Sequence, residues 1–110
     1  DEEPKPPDTK GLPTLPKGWC WASLDELLCT MTSGSRGWSK YYGRGTGTFV
    51  MAQNVRPWKP DFAERQIVDP PEHDAERSRT LVESGDLLLT IVGANTGDVC
   101  LVEQIPAEYF

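Results

Sequence analysis

Residues Thr80 to Gln104 read TLVESGDLLLTIVGANTGDVCLVEQ, and this stretch limits the fold more than any other. Two apolar runs, Leu87 to Val92 and Val99 to Val102, are preceded by a Ser84-Gly85-Asp86 turn and separated by Gly-Ala-Asn-Thr-Gly-Asp. Runs this short, bounded by turn residues, suit strands rather than helices. They predict a β-hairpin whose first strand is buried on both faces, because it lacks the regular apolar–polar alternation of a half-exposed strand.

Upstream, the punctuation is dense. Residues 1–14, DEEPKPPDTKGLPT, combine prolines and charges with almost nothing to bury, and read as an extended, solvated linker. In LPKGWCWASLDELLC, Trp19 and Trp21 alternate as a strand would and are assigned to the core. Ser23 followed by Glu26 forms a capping-box pattern that opens a short helix over Leu24 to Cys29, with Leu24, Leu27 and Leu28 on its buried side. Thr30 to Thr32 suits a strand, Ser33 to Thr46 a Gly- and Ser-rich loop, and Gly47 to Val55 a strand closed by Pro57 and Pro60. Gln66 to Val68 suits another short strand, and Asp69-Pro70-Pro71 before EHDAERS a Pro-initiated helix. The expected fold class is therefore α+β, with short twisted, mainly antiparallel strands and two or three short helices.

A chain of 110 residues accommodates one domain around one core. No apolar run approaches the roughly 18 residues of a membrane helix, and the N-terminus lacks the basic start and apolar centre of a secretory signal. A soluble, cytoplasmic protein without membrane partners is expected, and Asp1 in place of Met suggests a piece of a longer chain. Cys20, Cys29 and Cys100 are scattered and odd in number, which suits buried, reduced thiols rather than a disulfide framework or zinc site.

Enzymatic motifs are fragmentary. Asp69-Pro70-Pro71-Glu72 resembles the D-P-P-aromatic element of amino-methyltransferases, but Glu72 removes the stacking platform. Gly43, Gly45 and Gly47 do not have dinucleotide spacing, and no G-x-x-x-x-G-K phosphate loop is present. His73, the sole histidine, lies among Glu72, Asp74 and Glu76 and suits a solvated helix face better than a metal site or a catalytic triad. Neither catalysis nor a cofactor is expected.

Charge is placed unevenly. Seventeen Asp and Glu outnumber eleven Lys and Arg, giving a net charge of −6. From Leu27 to Pro60, however, Arg36, Lys40, Arg44, Arg56 and Lys59 occur with no carboxylate, so that window is +5 and the remainder, six cations against all seventeen acids, is −11. With a screening length of about 8 Å at physiological salt, a ligand on one face responds to the local charges. Arg36, Lys40 and Arg44 are spaced around Trp38, Tyr41 and Tyr42, a pattern suited to phosphate contact with aromatic packing against sugars or a groove wall. Gln53, Asn54 and Arg56 follow at a strand end as candidates for base edges, and Lys59 as a further phosphate contact.

Two motifs carry a family resemblance. LPKGWCWASLDELL, Leu15 to Leu28, resembles the opening of a target-recognition domain in the DNA-specificity subunit of type I restriction-modification systems. GDLLLTIVGANTGDVCLV, Gly85 to Val102, resembles the Gly-Asp hairpin of the same domains, in the same order. The resemblance implies that residues 15–110 form the N-terminal part of such a domain. It also implies a non-catalytic specificity module that recognises double-stranded DNA and directs partner methylase and restriction/translocase subunits. The helical spacers that dock those partners have no counterpart in this sequence. Competing expectations are the recognition fragment of a fused restriction-methylation enzyme and a protein-interaction domain without DNA binding.

Overall fold

The computed structural model describes residues 2–104 and 107–110; Asp1 of the expected linker and Ile105 and Pro106 of the expected recognition domain lie outside the described residues. The chain divides into two units, residues 1–31 and residues 32–110.

In the first unit the capping box forms as its spacing predicts. The Glu26 N–H donates to Ser23 Oγ at 3.2 Å and the Ser23 N–H donates to Glu26 Oε2 at 2.9 Å. The helix it opens, α1, covers only Leu24–Leu27. Pro-rich residues are tied back onto it: Ser23 Oγ donates to the Lys5 carbonyl at 2.7 Å, and the Lys5 N–H donates to Asp25 Oδ2 at 2.9 Å. Trp21 Nε1 reaches the Pro13 carbonyl at 3.3 Å. The core assignments made from sequence fail here. Trp19 is 72% exposed, and Trp21, Leu24, Leu27 and Leu28 are exposed too. One helical turn offers a single narrow stripe, and this unit supplies no second apolar layer to cover it. Cys20 and Cys29 are likewise exposed rather than buried, and Thr30 to Thr32 form no strand.

The second unit is α+β. Strand β1, Tyr42–Phe49, pairs antiparallel with β2, Gln66–Val68, through Gly47↔Val68, Thr48↔Ile67 and Phe49↔Gln66. Tyr42 also pairs with Val68, so residues 43–46 bulge out of the ladder. Gly43 (φ 78°) and Gly45 (φ 72°) take the left-handed conformations that such a bulge demands and that a side chain would oppose. On the other edge of β1 runs the C-terminal segment: the Thr48 N–H donates to the Glu108 carbonyl at 2.8 Å and the Phe110 N–H to the Thr48 carbonyl at 2.9 Å. Trp38, Val68 and Phe110 form the core cluster, and Tyr41, Tyr42 and Phe49 pack against it.

Helix α2, Ala75–Thr80, is capped by Asp74, whose carboxylate accepts the Glu76 N–H at 2.9 Å. It begins later than Asp69-Pro70-Pro71 predicts, because Asp74 rather than Asp69 supplies the cap. Its Arg77 bonds the Pro70 carbonyl and Glu108 and lies 5.3 Å from the Phe110 ring centre, fastening the C-terminal segment.

The expected hairpin forms from β3, Leu87–Leu89, and β4, Val99–Leu101, in the register Leu87↔Leu101, Leu88↔Cys100, Leu89↔Val99. Opposed residues share a face. Cys100 is buried and Leu88 half-buried, whereas Leu87, Leu89, Val99 and Leu101 are exposed. The first strand is thus covered on one face, not on both as its apolar run predicts.

Candidate nucleic-acid interface

The predicted contact residues fall on two stretches of the second unit. Arg36 is exposed in a turn that leads into a one-turn 3-10 helix, Trp38–Tyr41, whose last turn carries exposed Lys40. The Lys40 ammonium stands 5.0 Å from the Tyr41 ring centre, a contact worth about 0.5–1 kcal/mol at an exposed site. Arg44 follows at the centre of the bulge, between the two left-handed glycines, and is exposed with Thr46. The bulge therefore holds a guanidinium clear of the ladder.

Trp38 corrects the sequence reading. It is 3% exposed, and its ring meets Phe110 edge-on at 5.3 Å, so it is core and presents nothing to a ligand. Tyr41 and Tyr42 are half-buried against the same cluster, and the Tyr42 ring lies 5.4 Å from that of Phe49. Aromatic burial wins because this small unit has few other large side chains for its core.

The second stretch begins at another 3-10 turn, Ala52–Asn54, and continues as a loop to residue 64. Gln53 is exposed. Asn54 is a second correction, for its amide is fully engaged within the protein. Oδ1 accepts the Met51 N–H at 3.0 Å, and Nδ2 donates to the carbonyls of Asp61 at 2.9 Å and Glu64 at 2.7 Å. Because Asn54 is 1% exposed, it closes the neck of the loop instead of reading a base. Arg56 and Lys59 are exposed on that loop.

Among the described residues the ion pairs are Arg77–Glu108 and Arg79–Glu76, so Arg36, Lys40, Arg44, Arg56 and Lys59 have no carboxylate within 4.0 Å. The fold does bring acids toward the acid-free window. A Cβ built on Gly45 would lie 2.6 Å from Asp69 Cβ, and Ser35 Oγ contacts Glu76 at 3.5 Å. Glu76 is already committed: its hydrogen bond from Arg79 holds the carboxyl below its ordinary value, and Arg79 is raised by the same bond. Arg79 also grips Thr32 Oγ1 and the Ser33 carbonyl, fixing the chain that enters the basic stretch.

Sequence reasoning missed Trp58. This indole is 87% exposed on the loop between Arg56 and Lys59. The available signal was Pro57-Trp58-Lys59-Pro60, where prolines on both sides stiffen the backbone around one aromatic. Beneath the loop, burial pushes the Cys100 thiol up. The loop is anchored to β4 at the main chain of Trp58, two residues beyond the exposed Arg56.

No helix among the described residues is long and apolar enough to cross a membrane. No protein-family model, curated protein or solved structure matches this chain.

Proposed function

We propose that this chain contributes sequence-specific recognition of double-stranded DNA, as part of the specificity subunit of a type I restriction-modification complex. The observation that carries the reading is a set of five exposed cations free of carboxylate partners among the described residues, with Arg44 raised on a glycine bulge. Arg36, Lys40, Arg44 and Lys59 engage phosphates, which fixes register on the duplex. Gln53 and Arg56 remain the candidates for base edges, worth about 1–3 kcal/mol of discrimination for each bidentate pair. Catalysis belongs to the methylase and restriction/translocase partners on this reading, which rests on the resemblance of Leu15 to Leu28 and Gly85 to Val102 to target-recognition domains.

A second reading, a protein-interaction domain, draws support from the bare outer face of β3 and β4, where Leu87, Leu89, Val99 and Leu101 are all exposed. Selection of bound duplexes from a random pool by the intact subunit with its methylase partner separates the two. Enrichment of a defined half-site supports recognition, whereas an unenriched pool contradicts it.

A further inference from the structure

We propose that Trp58 is the stacking residue of this DNA contact, seating its indole against a nucleobase face at a locally opened base step while Lys59 holds a flanking phosphate and Arg56 faces a neighbouring base edge. The inference rests on the DNA-recognition reading above and adds to it a residue and a mode of contact. Four observations converge on the loop.

Trp58 is the one non-glycine residue with positive φ among the described residues, at 74°. A bulky side chain in the left-handed region is strained, and such strain persists where surrounding structure over-determines it, commonly at ligand contacts. Here the over-determination is visible. The Trp58 N–H donates to the Val99 carbonyl at 2.9 Å, and the Leu101 N–H donates to the Trp58 carbonyl at 3.3 Å, so β4 clamps the residue on both sides. At the neck, Asn54 and the Asp61 N–H, which donates to the Asn54 carbonyl at 2.8 Å, close the loop. Pro57 and Pro60 each bias the residue before them, Arg56 and Lys59, toward extended backbone.

The result is an exposed aromatic on a braced support. A tryptophan kept for the core would be buried, and one on an ordinary polar loop would not require this backbone. The neighbours decide the partner's chemistry: a cation lies on each side within two residues, with no acid between Leu27 and Pro60. Cations beside a flat aromatic suit an anionic backbone that carries stackable rings. Preorganisation lowers the ordering cost of contact, because the loop is already in place.

Stacking on an opened step predicts a preference for duplexes in which opening is easier. The test uses the full chain and two fluorescein-labelled duplexes of one sequence, one matched and one with a central mismatch, with Trp58→Gly and Trp58→Phe as variants. Glycine accepts the positive φ, so Trp58→Gly is expected to melt at or above the wild-type temperature. Wild type is expected to bind the mismatched duplex more tightly than the matched one. Trp58→Gly should lose about five- to hundredfold on the mismatched duplex and lose the preference, with its salt slope unchanged, while Trp58→Phe retains most of both. Wild type that binds DNA, with Trp58→Gly equal to it in affinity and mismatch preference, overturns the stacking role and leaves the DNA reading standing. Wild type that binds neither duplex overturns both.

Discussion

Gly47 faces Val68 across the β1–β2 ladder so closely that a Cβ on it would lie 2.8 Å from the Val68 carbonyl oxygen and 3.1 Å from Phe110 Cε2. This contact joins the basic bulge to the core, since Val68 and Phe110 are core residues and residues 43–46 bulge immediately before Gly47. Gly47→Ala is expected to destabilise by about 1–3 kcal/mol through overpacking. Gly34, with open space around its own would-be Cβ, serves as the control and should tolerate alanine with little change. Urea unfolding of both variants checks the difference.

The buried amide of Asn54 gives a second test. Asn54→Ala strands the Met51 N–H and the carbonyls of Asp61 and Glu64, and an unpaired buried group costs about 1–3 kcal/mol. A marked fall in the urea midpoint is expected, together with faster proteolysis within residues 55–64. Wild-type behaviour in both would remove Asn54 from the neck of the loop.

A pH dependence follows from Glu76. Its carboxyl is held below the ordinary value of 4.5 in the fold, chiefly by the hydrogen bond from Arg79. The unfolded chain therefore binds the proton first, and the contribution is present above the ordinary value and is lost as pH falls through the lowered one. Glu76→Gln should flatten the acid side of the urea-midpoint profile below about pH 4.5 relative to wild type. The effect is modest, because both partners reach solvent.

The thiols should separate by accessibility. Cys20 and Cys29 are exposed, whereas Cys100 is buried with its thiol pushed up by desolvation. A disulfide reagent at mildly alkaline pH should modify two thiols rapidly and the third only on unfolding. Rapid modification of all three in the native protein would contradict the packing of β4 beneath the Arg56 loop.

Much of this architecture is legible in the amino-acid order, and the exceptions have physical causes. Ser23 and Glu26 announce their capping box because both bonding groups lie within one turn, and Gln66–Val68 forms the expected strand. Turn residues around the hairpin likewise mark its strands. Burial was harder to read, since alternation identifies a face without identifying what covers it: Trp19, Trp21 and the α1 leucines are exposed, while Trp38 is core. Polar chemistry is equally ambiguous in one dimension. An asparagine amide has the same groups for a base edge as for three backbone partners, and only the fold shows that Asn54 uses them internally. The left-handed Trp58 has no compositional signature, because its conformation is imposed by bonds to β4, about forty residues away.

The central claim, that an acidic chain grips DNA through its local cations, is tested most directly by titrating a labelled duplex over a range of salt concentrations with wild type and with Arg36→Glu/Lys40→Glu/Arg44→Glu. The account predicts weaker binding and a log–log salt slope shallower by about 2–3 for the variant, since each lost phosphate contact removes about 0.9. Equal affinity and equal slope for the two proteins would contradict it.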